Sequence, residues 1–177
     1  HDSHRRQRQM CIRDRHYVDE GRENKKVILC LHGEPTWGYI YRHFIRELSK
    51  EYRVVVPDLM GFGKSETPKN KEYSLKTHVE NLENLVNYLG LKNIYFVGQD
   101  WGGPILGAYT LRNLTNTKGM FLINTIFGYS RTEKPKELTP WFKWIKKNEE
   151  NGTLDGILGE LNTCLLYTSP SPRDSRK

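Results

Sequence analysis

Val97-Gly98-Gln99-Asp100-Trp101-Gly102-Gly103 is the stretch around which the rest of this 177-residue chain is arranged. The apolar run Ile94-Tyr95-Phe96-Val97 leads into it, and a stretch rich in small residues, Gly102 to Leu114, leads out. The spacing predicts a strand, a tight turn with an acidic residue at its apex, and a helix. The glycines let the backbone turn sharply and let the helix start close to the sheet. The apex side chain is thereby pushed into the open. The helix N-terminus directs unpaired N–H groups and the positive end of its dipole at whatever collects there.

This is the nucleophile-elbow pattern, G-x-nucleophile-x-G, with Asp100 where a serine hydrolase carries Ser. The change of residue has a chemical meaning. A serine attacking an sp³ carbon would leave an ether, which water does not readily cleave. A carboxylate attacking the same carbon leaves an ester, which an activated water hydrolyses. Asp100 as nucleophile therefore points to displacement at a saturated carbon, in an alkyl halide or an epoxide, by covalent catalysis. The competing reading is an Asp that does no more than N-cap the helix.

A second motif lies upstream. Val27-Ile28-Leu29-Cys30-Leu31 is a buried-strand run that ends in His32-Gly33-Glu34-Pro35-Thr36-Trp37. Where an elbow of this kind occurs, an upstream strand-to-helix loop supplies one oxyanion N–H and the residue after the nucleophile supplies the other. The candidates are the backbone N–H groups of Glu34 and Trp101. Together the two motifs resemble the haloalkane dehalogenase family of the α/β-hydrolase fold, in the branch with Glu after His-Gly, from about Tyr17 to Asn162. The resemblance implies a mostly parallel sheet with helices on both faces. It also implies a helical cap that begins near Trp141-Phe142-Lys143-Trp144 and contributes a halide-binding Trp. By spacing that Trp is Trp144 rather than Trp141. Indole is a donor only, so Trp101 and Trp144 would hold a departing halide by preorganised electrostatics without offering a competing nucleophile. The alternative for Trp144 is a packing anchor on an amphipathic cap helix.

Bulk properties frame this reading. The length suits one domain. The net charge is +7 and apolar residues make up 36%, with a mean hydropathy of -0.73. The ends account for much of the charge. His1 to Arg15 carries five Arg and two Asp, a net +3, and Leu165 to Lys177 carries two Arg, one Lys and one Asp, a net +2, which leaves +2 for the middle. Nucleic-acid binding is therefore not expected; the terminal charge reads as solvated. Met10 to Arg15 and Leu166 to Ser175 resemble translated sequencing-adapter read-through. The expected organisation is thus an adapter-like segment over 1–15, the N-terminal part of the hydrolase core over 16–124, the start of the cap over 125–164 and an adapter-like tail over 165–177, with the C-terminal part of the fold missing. Cys30 reads as a reduced core residue. Cys11 and Cys164 lie in or beside the odd ends, so no disulfide framework follows. No stretch has membrane-spanning length and no signal peptide is present, so a cytoplasmic protein without a membrane partner is expected.

The remaining pattern is a strand-and-helix alternation. Tyr17 to Glu23 reads as a hairpin remnant, Lys25 to Leu31 as a strand, and Thr36 to Glu51 as a helix with Ile40, Phe44, Ile45 and Leu48 at helical spacing. Arg53 to Pro57 is a strand ending in the Gly-rich loop Asp58 to Ser65. That loop has neither phosphate-binding spacing, and Asp58 is expected to bond local backbone. Ser74 N-caps a helix bearing Leu75, Val79, Leu82, Leu85 and Leu89 on one face, closed by Gly90. Asn93 to Val97 and Gly119 to Asn124 are strands. Ligands in such sheets bind beyond the carboxyl ends of the strands, where His32, Glu34, Asp58, Asp100 and Asn124 all fall. Gln99 either packs under the elbow or bonds a loop, and Pro35 suits a rigid turn, cis or trans. No metal site is expected, since His32 and His43 lack ligand spacing with Cys or carboxylate partners. No cofactor is implied.

One absence bears on mechanism. Elbow hydrolases of this fold run nucleophile, acid, then His in chain order, yet His1, His4, His16, His32, His43 and His78 all precede Asp100. The expected activity of the parent protein is conversion of a haloalkane and water to alcohol, halide and a proton. A fragment without the base would stall at the ester. An epoxide hydrolase with the same Asp, or a non-catalytic remnant of the fold, are the alternatives.

Overall fold

A five-residue strand with every residue apolar can be satisfied only between two covering layers, and Val27–Leu31 is such a strand. The computed structural model describes residues 9–12, 15–70, 72–125 and 140–152. The chain forms two compact units, His1–Gly128 and Tyr129–Lys177. The first holds a six-stranded sheet built from β1 (Gln9–Ile12), β2 (Arg15–Glu20), β3 (Val27–Leu31), β4 (Arg53–Pro57), β5 (Ile94–Gln99) and β6 (Thr117–Ile123). The spatial order is β1-β2-β4-β3-β5-β6. β4, β3, β5 and β6 are mutually parallel, whereas at one edge β2 runs antiparallel to both of its neighbours, β4 and β1. Helices α1 (Arg42–Leu48), α2 (Leu75–Tyr88) and α3 (Gly102–Arg112) make the crossovers.

The strand alternation sorts the core into two faces. Leu29, Leu31, Val55, Ile94 and Phe96 pack against Val79, Leu82 and Leu85 of α2 and Ile105, Leu106 and Tyr109 of α3. Ile28, Cys30, Val54, Val56 and Val97 pack against Tyr41 and Ile45. Helices therefore cover both faces, as the crossovers require. Phe96 and Tyr109 meet edge-to-face at 5.4 Å, the favoured aromatic geometry.

Local expectations are met where caps are strong. Ser74 Oγ accepts the Thr77 N–H, and Gly90 ends α2 at φ 61°. The predicted helix over Thr36–Glu51 is shorter, a 3₁₀ turn over Gly38–Tyr41 followed by α1. Side-chain and turn bonds hold the preceding loop out of the helix: Thr36 N–H donates to Gly33 O, and Gly38 N–H donates to Asp58 Oδ1. Leu75 is 42% exposed rather than core, because the first turn of α2 forms a cavity wall. The supposed hairpin remnant is β2, paired with β4 through Tyr17 opposite Pro57. Gln9–Ile12, which has no strand period, nevertheless pairs with β2; a backbone ladder needs no side-chain pattern of its own.

The second unit contributes α4 (Pro140–Glu150), where the cap helix was expected to start. The rest of the expected cap, over 126–139 and 153–164, and the tail over 165–177 lie outside the described residues. Among the described residues no helix is long and apolar enough to cross a membrane, and no cluster of His, Cys, Asp or Glu could hold a metal ion.

Candidate active site

The elbow forms as its glycines predict. Asp100 sits at the end of β5 with φ 51°, a left-handed conformation that costs a non-glycine residue energy and is found at turns that aim a side chain. Its backbone is clamped on both sides. Asp100 N–H donates to Ile123 O at 3.3 Å, and Asp100 O accepts from Gly103 N–H at 3.0 Å and from Thr125 Oγ1 at 2.6 Å. A side chain at Gly102 would strike the carbonyl of Leu31, and one at Gly103 would strike Thr125. These glycines let α3 start against β3 and the chain after β6.

The carboxylate does not cap α3. Asp100 Oδ1 accepts the backbone N–H of Glu34 at 2.8 Å, and Oδ2 accepts no hydrogen bond among the described residues. The side chain thus reaches across to the His32–Trp37 loop, whose predicted oxyanion donor already meets it. Gly33 lies directly over the elbow: a Cβ there would overlap the Asp100 side chain and the Trp101 nitrogen. Gln99 is settled as a loop partner, its Oε1 accepting the Gly33 N–H at 3.3 Å.

Two buried polar groups support this loop. His32 has no solvent exposure. Its Nε2 accepts the Leu59 N–H at 2.8 Å and its Nδ1 lies 2.9 Å from Gly33 O. That pairing assigns the ring proton to Nδ1 and the lone pair to Nε2. Burial holds its pKa below the usual histidine range, with the Gly33 carbonyl bond opposing. His32 is therefore a neutral strut and not a base. Asp58 bonds local backbone as expected, accepting from Gly38 and Lys64 N–H. It also meets His16 Nδ1 at 2.9 Å, a partner 42 residues away that no local pattern indicates. The Glu34–Pro35 bond is cis.

Trp101 is 43% exposed, and its indole N–H has no hydrogen bond among the described residues. It lines a cavity of about 280 Å³ together with Glu34, Leu59, Phe62, Tyr73, Leu75, His78 and Ile105. Asp100, Glu34 and Trp101 thus come together in the first unit. Trp144 lies in α4 of the second unit, 37% exposed, its carbonyl accepting from Asn148 Nδ2 at 2.8 Å. Sequence reasoning missed Tyr73, His78 and Thr125. The signal for His78 was its place three residues after Leu75 and four before Leu82, at the margin of the apolar stripe of α2.

Known proteins share this fold. A family model for the alpha/beta hydrolase fold matches residues 26–155. Haloalkane dehalogenase 2 of Mycobacterium bovis is 42% identical over 112 residues, covering 63% of this chain and 38% of its own. A cis-3-alkyl-4-alkyloxetan-2-one decarboxylase of Xanthomonas campestris is 35% identical over 133 residues, covering 71% and 43%. The solved haloalkane dehalogenase of Paraglaciecola agarilytica matches with a TM-score of 0.69 at 36% identity, covering 77% of this chain and 45% of its own. The chain spans less than half the length of each. With the family model matching well over half of the chain, this protein belongs to the α/β-hydrolase fold family.

Proposed function

We propose that the chain carries the nucleophile half of a haloalkane dehalogenase. The observation that carries this reading is the Asp100 carboxylate, turned away from the helix it precedes, with Oδ1 held by the Glu34 N–H, Oδ2 without a hydrogen bond among the described residues, and its neighbours Glu34 and Trp101 lining a mostly apolar cavity. Oδ2 attacks the halogen-bearing carbon in line with the carbon–halogen bond. The C–Oδ2 bond forms, the carbon–halogen bond breaks, and the bonding pair leaves with the halide. Oδ1 becomes the carbonyl oxygen of the ester. It already sits on one of the two oxyanion donors, the other being the Trp101 N–H. When water adds to the ester carbon, these groups would stabilise the negative charge on Oδ1. The Trp101 indole would receive the halide. A halogenated alkane is the substrate and halide ion a product. No histidine follows Asp100 in these 177 residues, so on this chain the ester would accumulate.

The test is intact-mass spectrometry and bromide titration after incubation with short bromoalkanes and epoxides. The expected result is up to one bromide released per chain, one alkyl group added at Asp100, and neither in Asp100→Asn. An epoxide adduct at Asp100 without reaction of bromoalkanes would replace this reading with an epoxide hydrolase. No adduct from either would leave Asp100 as part of a non-catalytic remnant of the fold.

A further inference from the structure

The cavity that Glu34 and Trp101 line has one feature that displacement of halide does not use. Its wall is apolar at Leu59, Phe62, Leu75 and Ile105. His78, in α2, stands among them. Its ring lies 6.5 Å from that of Tyr73, tilted by 60°. Nδ1 is buried without a partner among the described residues. Nε2 has no hydrogen bond there either and is not enclosed, so it is the ring nitrogen open to a ligand. The Tyr73 hydroxyl is engaged elsewhere, donating to Pro68 O at 3.2 Å. Burial lowers the pKa of His78, so the ring is neutral at pH 7 with one proton to place. A buried N–H without an acceptor costs more than a bare lone pair, which favours the proton on Nε2.

We infer that His78 is a specificity-determining residue whose Nε2–H receives a hydrogen-bond acceptor carried by the substrate away from the reacting carbon. The favoured class is then an oxygen-bearing haloalkane, such as an ω-halo alcohol or ether, over the plain haloalkane of equal length. This rests on the dehalogenase reading, because preference is measured on the alkylation of Asp100. His78 touches no bond that forms or breaks, so it shapes preference and not the displacement itself.

The experiment compares initial rates of Asp100 alkylation for matched pairs of ω-bromoalkanols and 1-bromoalkanes from two to six carbons. A neutral hydrogen bond is worth a few-fold to about tenfold. The native chain should favour the alcohol of the best-fitting length by about fivefold. His78→Phe should reduce that preference below about twofold. His78→Gln, which keeps a donor, should retain most of the preference; it also serves if the Phe variant does not fold. No preference in the native chain, or one that survives His78→Phe, overturns the inference while alkylation itself upholds the dehalogenase reading. If no bromide compound reacts, that reading fails, and His78 is judged by ¹⁵N NMR. Nε2 must then shift on addition of butane-1,4-diol more than on addition of butane, and an equal response overturns it.

Discussion

The Glu34 backbone N–H donates to Oδ1 of Asp100 across 2.8 Å, joining the loop after β3 to the elbow after β5 through the atom on which charge would develop. The two residues are 66 positions apart in sequence. They meet because β3 and β5 are adjacent parallel strands, in register with Leu31 beside Gly98. What holds this contact in place is open to perturbation.

Gly33 is the first point of pressure. A methyl group there overlaps the Asp100 side chain and the Trp101 nitrogen, so Gly33→Ala must push the loop off the elbow. Overpacking of this kind costs about 2 kcal/mol, and a misplacement near 1 Å slows chemistry on the order of a hundredfold. Urea unfolding and the bromide burst rate should both fall. An unchanged burst would show that the loop moves without consequence.

Backbone strain at Asp100 can be isolated from its chemistry. Asp100→Gly and Asp100→Ala both lose the carboxylate and its bond to Glu34. They differ in tolerance of φ 51°. Gly should be the more stable by about 1 kcal/mol, the reverse of the usual order for this pair. Equal urea midpoints would mean that the turn relaxes.

His32 is a buried strut with two backbone bonds. His32→Leu leaves the Leu59 N–H without a partner in the interior, while the Gly33 carbonyl keeps its bonds from the Thr36 N–H and Oγ1. The expected loss is about 2 kcal/mol in chemical denaturation, with bromide release falling in parallel. Retained stability would mean that water takes over the Leu59 bond.

Acid should destabilise the chain through His32 and His78. Burial lowers the folded-state pKa of both His32 and His78 from 6.5. Below about pH 6.5 the unfolded chain therefore binds protons that the folded chain refuses, so stability falls as pH drops and is complete above that value. For His32 the slope approaches about 1.4 kcal/mol per pH unit. Urea midpoints taken from pH 8 to pH 5 should show the fall, shallower in His78→Phe. A flat profile would contradict burial of neutral imidazole.

Cys30 should be silent. It has no exposure, and burial pushes its thiol up to about 12, far from the thiolate that reacts. With Cys11 and Cys164 changed to Ser, Ellman's reagent should label the chain only as fast as it unfolds. Rapid labelling in native buffer would show that β3 opens.

The chain's own order determined the alternation of strands and helices, the Ser74 cap and Gly90 stop of α2, and the elbow with its acid at Asp100. These are local: they depend on period, capping chemistry and the backbone freedom of glycine within a few residues. The apolar run of β3 likewise announced a strand covered on both faces. Tertiary structure decided everything that joins distant segments. It turned the Asp100 carboxylate onto Glu34 rather than onto its own helix, engaged Gln99 with Gly33, and made His32 a neutral strut. It paired Asp58 with His16 at 2.9 Å, and it moved Leu75 from the expected core stripe into a cavity wall with His78. Side-chain period marks which face of an element is apolar, but only the register of neighbouring strands and the packing of helices over them selects what that face meets.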